Sequence, residues 1–273
     1  MGTIVLTGAS AGIGAAAAVE LTGMGHQVVA VGRSPSKLDA VHERMLGAAP
    51  AGVKVPDAIA VDFASLAEVR RLADVVLERC PQVDVLANNA GLQTRHREES
   101  AEEYEMVFAV NHLAPFLLTN LLLERLQASG GRMVGTSSAV HRVGRIDFDD
   151  LQYKNHWRAF RAYGRSKLAN IWFTSELARR TGLPASCYHP GGVNTDLSRD
   201  TPMASMIKPV MRLVARTPEK GADTLVWLAT GPEGASPRAV YYADRKPGKM
   251  SASATDSASA ARLWDVSAEL VGL

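Results

Sequence analysis

The sequence predicts a single-domain α/β fold, a doubly wound parallel sheet flanked by helices, on two observations. Short apolar runs alternate with longer amphipathic stretches, and a glycine-rich turn joins the first run to the first helical stretch. The strand candidates are TIVLTG (3–8), QVVAVG (27–32), DAIAVD (57–62), VDVLANN (83–89), GRMVGTSS (131–138) and PASCYHPG (184–191). Their apolar residues do not strictly alternate with polar ones, as suits strands covered on both faces. AAAAVELTGMG, SLAEVRRLADVVLERC and PFLLTNLLLERLQASG supply intervening helices, and this repetition builds a doubly wound sheet. AVYYAD (239–244) adds a late strand. SASATDSASAA (251–261) reads as an exposed loop passing into a final helix, with Thr255 or Asp256 as its cap.

Composition narrows the function classes. The chain has 273 residues, 47% hydrophobic and 21% charged, enough for a sizeable core of ordinary globular type. A net charge of +2 is too balanced to argue for nucleic acid or an anionic membrane. Cys80 and Cys187 stand far apart and outside any metal-ligand spacing, so neither a metal nor a disulfide framework is expected, and a cytoplasmic setting fits. No apolar run reaches the length of a membrane span. The opening residues lead almost directly into TIVLTG, leaving no room for a signal peptide.

The turn TGASAGIG carries Gly8, Gly12 and Gly14. Glycine permits a tight turn and close backbone approach to a pyrophosphate. The N–H groups and positive dipole end of the following helix then face the phosphates. The spacing TGxxxGxG resembles the short-chain dehydrogenase/reductase superfamily, a Rossmann-type fold. The resemblance extends through LANNAG (86–91), VNHLAPFLLT (110–119), TSSAVH (136–141), YGRSKLAN (163–170) and HPGGVNTDL (189–197). NHLAPFLLT, HRVGRIDFDDLQ, YGRSKLANIWFTSELARR and ARLWDVSAELVGL resemble more narrowly the retinol dehydrogenase and protochlorophyllide reductase-like branch.

Tyr163 and Lys167 stand four positions apart, one helical turn, on one face. An unperturbed phenol has a pKa of about 10. A nearby cation stabilises its phenolate, and Lys167 with an oxidised nicotinamide would supply positive charge. Tyr163 can then give a proton to a carbonyl oxygen or take one from an alcohol. The resemblance assigns Lys167 also to the nicotinamide ribose, Ser138 to the substrate oxygen and Asn111 to a water relay behind Lys167. Ser137 precedes Ser138 on a strand and should face the other way. Gly135 stands where the family often has Asn, which could loosen the strand.

The expected cofactor contacts are Gly8, Ser10, Ala11, Gly12, Ile13 and Gly14 in the turn, Asn89, Ala90 and Gly91 beside it, and Tyr163 and Lys167. By resemblance, Asp62 and Phe63 flank the adenine, and Pro190, Gly191, Val193 and Thr195 line the nicotinamide side. The second strand ends in Gly32 followed by Arg33, where an NAD enzyme of this fold usually has an acidic residue. Arg33 can hold a 2′-phosphate bidentately, with Ser34 and Lys37 assisting, which favours NADP(H) over NAD(H). A solvated Arg33 is the plainer alternative.

A substrate lid is expected around 196–215, carrying Met203, Met206, Ile207, Met211, Leu213 and Val214. Methionines make adaptable apolar walls. The long interval from Ser138 to Tyr163 adds Tyr153, His156, Trp157 and Phe160, and Arg95, His96 and His141 could orient a polar substituent. These features suggest a hydrophobic ketone or aldehyde and its alcohol, handled by a carbonyl reductase, though lid and insertion could instead simply pack on the core. A non-catalytic NADP(H)-binding sensor or scaffold is the alternative, against which all four candidate catalytic residues stand. A nucleotide-sugar epimerase would carry a different glycine spacing, and a light-dependent reductase would not turn over in the dark. Both homo-oligomer and monomer are compatible with the sequence.

Overall fold

Eight strands form one sheet in the order β3-β2-β1-β4-β5-β6-β7-β8 in the computed structural model, which describes residues 2–192, 216–237 and 239–273. They are β1 (Thr3–Thr7), β2 (Gln27–Gly32), β3 (Ile59–Ala60), β4 (Val85–Asn88), β5 (Arg132–Thr136), β6 (Ala185–His189), β7 (Tyr241–Ala243) and β8 (Lys246–Pro247). Every pairing is parallel except β7 with β8. From β1 the chain runs outward to β2 and β3, then returns to β4 on the other side of β1. The crevice beyond the carboxyl ends of β1 and β4 is therefore the topological switch point, where open α/β sheets bind ligands.

Strand pleat divides the core into two layers. Ile4 and Leu6 of β1 enter one layer with Val28 and Ala30 of β2, while Val5, Val29 and Val31 enter the other. The first layer is covered by α1 (Gly12–Gly23), α2 (Pro35–Ala48) and α8 (Pro218–Thr230). Its run Ala15–Ala18 is buried, and such small side chains let α1 lie close to its neighbours. The second layer is covered by α3 (Leu66–Arg79), α5 (Ala114–Leu121), α7 (Ala159–Thr181) and α10 (Ser257–Val271). Short α9 (Pro232–Ala235) precedes β7. Asp256 caps α10 by accepting from the Ser259 N–H at 3.1 Å, so of the two cap candidates it takes the role.

Two expected elements change form. DAIAVD keeps only Ile59–Ala60 as strand. The helix expected across PFLLTNLLLERLQASG is interrupted at Leu122, between α5 and α6 (Leu123–Ala128). It is preceded by the short α4 (Met106–Phe108) and a π-helical turn, Ala109–Leu113, which contains Asn111. Widened turns of this kind occur frequently at functional sites.

The insertion before α7 is anchored through a buried ion pair. Arg165 Nη2 lies 3.4 Å from Glu105 Oε2, and both side chains are almost wholly buried. The guanidinium lies between the Phe108 and Tyr153 rings, 5.2 and 5.0 Å from their centroids. Glu105 also accepts from the Val107 and Phe108 N–H groups and from Trp157 Nε1. Tyr153 and Trp157 thus pack and bond this pair. Removing one partner of a buried pair leaves an uncompensated charge. Arg165→Met should cost about 3–5 kcal/mol in denaturant unfolding, whereas Lys220→Ala, at an exposed pair with Asp223, should cost less than about 1 kcal/mol.

Candidate active site

The glycine turn is built for close approach. Gly8 has φ +68°, and a Cβ there would lie 2.7 Å from Ala90 Cα. A Cβ on Gly14 would lie 2.1 Å from Gly8 O. Thr7 Oγ1 accepts from the Asn89 and Ala90 N–H groups at 3.0 Å each, and Asn89 Nδ2 donates to Thr7 O and Gly8 O. The NNAG segment therefore pins the turn from the neighbouring strand. The cap of α1 is Ala11, with no side-chain cap bond, and no acidic residue occupies the first turn. A helix start without a side-chain acceptor, beside a glycine cradle, fits a pyrophosphate. Ser10, Gly12 and Ile13 belong to this same turn and helix start.

A cleft of about 260 Å³ opens beside the turn, lined among others by Ser10, Ala11, Gly12, Lys37, Arg44 and Glu219. Arg33 and Lys37 are both exposed, and Ser34 is half-buried with its Oγ 3.4 Å from Ser36 Oγ. Arg44 escaped the sequence reading. It lies two helical turns beyond Lys37 on α2, a spacing that could have shown the shared face. Asp62 is half-buried and accepts from the Ala64 N–H at 3.0 Å. Phe63 is buried in the core with Val61 and Leu66, which removes its ring from the adenine role expected of it and leaves its backbone.

Tyr163, Lys167, Ser138 and Asn111 converge at the other end of the crevice. The Lys167 side chain is buried, its Nζ donating to Thr136 O at 3.1 Å and lying 5.3 Å from the Tyr163 ring centroid. A Cβ on Gly91 would sit 3.2 Å from Asn111 Oδ1 and 3.5 Å from Lys167 Nζ, so the bare glycine leaves room for both groups. Asn111 Oδ1 accepts from the Leu92 N–H at 2.7 Å, while Nδ2 donates to Leu92 O and Ser166 Oγ, each at 3.0 Å. Asn111 thereby clamps the loop after β4 to the helix carrying Tyr163. Ser137 Oγ donates to Lys167 O at 2.8 Å. Ser138, extended at φ −158°, stands close enough to Tyr163 for its hydroxyl to favour the phenolate.

Burial governs the titration of the pair. Desolvation pushes the Tyr163 phenol up to about 12, opposed by its hydrogen bond with Ser138. Desolvation pulls Lys167 down to about 8, opposed by Cys187. The expected lowering of the phenol by Lys167 does not appear in the protein alone, where burial dominates.

Several expected substrate contacts are otherwise engaged. His141 is buried and bonded on both ring nitrogens, to Ser138 O and the Ser251 N–H. Tyr153 and Trp157 serve the buried ion pair. Arg95, His96 and His156 are exposed. Phe160 and Val143 are exposed too, by 58% and 50%, one three residues before Tyr163 and the other against Gly164. Pro190 and Gly191 follow β6 at the crevice. Val193, Thr195 and the lid around 196–215 lie outside the described residues. Sequence reading also missed Thr7 and Thr136, whose roles depend on backbone partners that a sequence does not display.

Comparison with known proteins agrees with this arrangement. The family model for "short chain dehydrogenase" matches residues 2–204. A Streptomyces sp. (strain C5) protein named "Putative daunorubicin C-13 ketoreductase DnrU" is 43% identical over 275 residues, covering 99% of this chain and 92% of its own. Human retinol dehydrogenase 14 is 37% identical over 290 residues, covering 99% and 86%. The crystal structure of an uncharacterized protein from Mycobacterium paratuberculosis superposes with a TM-score of 0.79 at 32% identity, covering 100% of this chain and 94% of that one. With its glycine turn at one end of the switch-point crevice and the Ser138, Tyr163 and Lys167 side chains at the other, the chain belongs to the short-chain dehydrogenase/reductase superfamily, as an oxidoreductase of the retinol dehydrogenase-like branch.

Proposed function

We propose that this protein is an NADP(H)-dependent carbonyl reductase that interconverts a hydrophobic ketone or aldehyde with its alcohol. The observation that carries the chemistry is the buried Lys167 ammonium held beside the Tyr163 ring, with the Ser138 hydroxyl close by. Ser138 orients the substrate oxygen and stabilises charge developing on it. Tyr163 delivers its proton to that oxygen during reduction and withdraws one during oxidation. Lys167 keeps positive charge beside the phenol, and Asn111 holds the backbone around it. The nicotinamide, when bound, supplies or accepts the hydride.

Support for NADP(H) comes from the end of β2. A Cβ on Gly32 would lie 2.9 Å from Ser10 Cβ, so the usual acidic side chain has no space there without displacing Ser10. Arg33, Ser34 and Lys37 follow as donors for a 2′-phosphate, with Arg44 farther along α2. Asp62 and the Phe63 backbone serve the adenine, and Val193 and Thr195 complete the nicotinamide side. An apolar substrate is supported by Phe160 and Val143, exposed on the segments flanking Tyr163 and Ser138. The segment around 196–215 acts as the lid of the same single domain. Buried free thiols at Cys80 and Cys187 suit a reducing, cytoplasmic setting.

Purified protein should bind NADPH more tightly than NADH and reduce members of a panel of hydrophobic ketones, aldehydes and quinones in the dark. Tyr163→Phe should retain NADPH binding and lose about 100-fold or more in kcat. Arg33→Ala should weaken NADPH binding about 10-fold or more, with NADH binding little changed. Equal affinity for the two nucleotides would overturn the cofactor assignment, and NADPH binding with no turnover would favour a sensor.

Lys167 also gives the free protein a signature of known sign. Its folded pKa, about 8, lies below its ordinary 10.5. Between these values the unfolded chain binds more protons, so the lysine's contribution to stability rises with pH. Lys167→Met should therefore be more stable than wild type at pH 7, by an amount on the order of 3 kcal/mol, with the gap closing as pH rises towards about 10. Cys187, whose raised thiol interacts with Lys167, acts with opposite sign at alkaline pH, so the comparison is read at and just above pH 8.

A further inference from the structure

Two buried histidines stand beside catalytic candidates and take no part in the proton transfer. His141 follows Ser138 by three residues and is fully buried. Its Nδ1 lies 2.7 Å from Ser138 O and its Nε2 3.3 Å from the Ser251 N–H. A carbonyl only accepts and an amide only donates, so the ring is neutral with its proton on Nδ1. The Ser138 carbonyl also accepts from the His141 backbone N–H at 3.1 Å. Two donors on one carbonyl fix the peptide that follows Ser138.

His112 follows Asn111 directly and is likewise buried. Its Nε2 lies 2.8 Å from Ser267 Oγ, on α10. Phe108, Phe116 and Phe173 surround the ring. Trp264, one turn before Ser267, packs on Phe116 and Phe173, with centroids 5.0 and 5.8 Å apart. Trp172 Nε1 donates to Ser253 O at 2.8 Å. The segment from Ser251 to Ser267 therefore meets both sides of the catalytic group.

We propose that His141 and His112 are positioning residues, which clasp the C-terminal segment through Ser251 and Ser267 onto the backbone that carries Ser138 and Asn111. The proposal rests on the reading of Ser138 and Asn111 as parts of the catalytic site. A second proton on His141 would put a donor against the Ser251 N–H and break that link. The groups facing His141 are Arg142 on its own 3-10 turn, His189 of β6 and Tyr241 of β7. Those facing His112 are Arg165 and Asn170 of α7 and Ser267 of α10. Burial, with the nearby Arg142 and Arg165 charges, lowers both histidines, His112 to about 3.

The test pairs a readout independent of turnover with kinetics. In ¹⁵N-histidine spectra of the wild-type protein, His141, assigned by its loss in His141→Asn, should show a proton on Nδ1 and none on Nε2. Its titration midpoint should fall below that of an ordinary histidine, since burial disfavours the charged ring. A proton on Nε2, or a midpoint at or above that of an ordinary histidine, would overturn the clasp whether or not any carbonyl is reduced. In kinetics with NADPH and the carbonyl compound that wild type reduces fastest, His141→Phe keeps a ring but loses both bonds. It should lower kcat about tenfold while NADPH affinity stays within about twofold. His141→Asn keeps a donor for the Ser138 carbonyl and should recover part of that loss. Ser267→Ala, a milder change less prone to misfolding, should lower kcat about threefold with NADPH affinity held. Unchanged kcat in both His141→Phe and Ser267→Ala would also overturn it. NADPH binding without turnover in wild type would count against the proposed activity, and the spectra would still decide the clasp.

Discussion

Keeping an ammonium inside the protein is the constraint around which the crevice is organised. An ionised lysine out of water is costly unless acceptors are held against it. Lys167 meets this with the Thr136 carbonyl, which also accepts from Asn170 Nδ2 at 3.1 Å. That carbonyl sits at the last residue of β5, paired in register with Tyr188 of β6. Its position is thus set by the parallel sheet and not by a loop. On the opposite side Gly91 leaves space for the lysine tip, and Asn111 ties the chain after Gly91 to Ser166. The result is a cation that burial biases towards release of its proton, next to a phenol that burial biases towards keeping its own. Both shifts put the groups in a state from which added charge or substrate can move a proton.

The same logic explains why the two ends of the crevice look so different. At the phosphate end there is almost no side-chain chemistry. Glycines, a bare helix start and the Thr7–Asn89 bonds shape a backbone surface. A diphosphate can be recognised by N–H groups and a dipole, so small residues suffice there. At the reacting end, discrimination between proton states needs side chains whose surroundings are fixed. Helix α7 supplies two of these with one turn between them. The Arg165–Glu105 pair, on a different face of that helix, ties it to the chain just before Asn111.

Much of this was legible in the sequence because it is written in local spacing. The turn TGASAGIG, the four-residue step from Tyr163 to Lys167 and the alternation of runs and helices need no knowledge of distant contacts. Strand geometry sends Ser137 and Ser138 to opposite faces, and the family resemblance chose Ser138 between them. What remained hidden depends on partners far along the chain. Tyr153 and Trp157 look like substrate wall until Glu105 and Arg165 are seen between them. Phe63 looks like an adenine platform until the core closes over it. No local pattern announces the π-helical turn at Asn111, since the extra residue is accommodated by packing on α7.

The least promising stretch by composition, SASATDSASAA, shows why low complexity is a poor guide to role. Serine and alanine carry little information about their partners, yet Ser251 and Ser253 offer backbone groups to His141 and Trp172. Ala254 and Ala260 are buried in the core. Small residues are what allow the backbone itself to reach the rings of the catalytic layer. The helix that follows then brings Trp264 and Ser267 onto the same layer. A chain that folds its last helix over the π-helical turn makes the geometry of Asn111 depend on residues more than a hundred positions away. On the clasp proposed above, the candidate site is completed only when the C-terminal segment has docked.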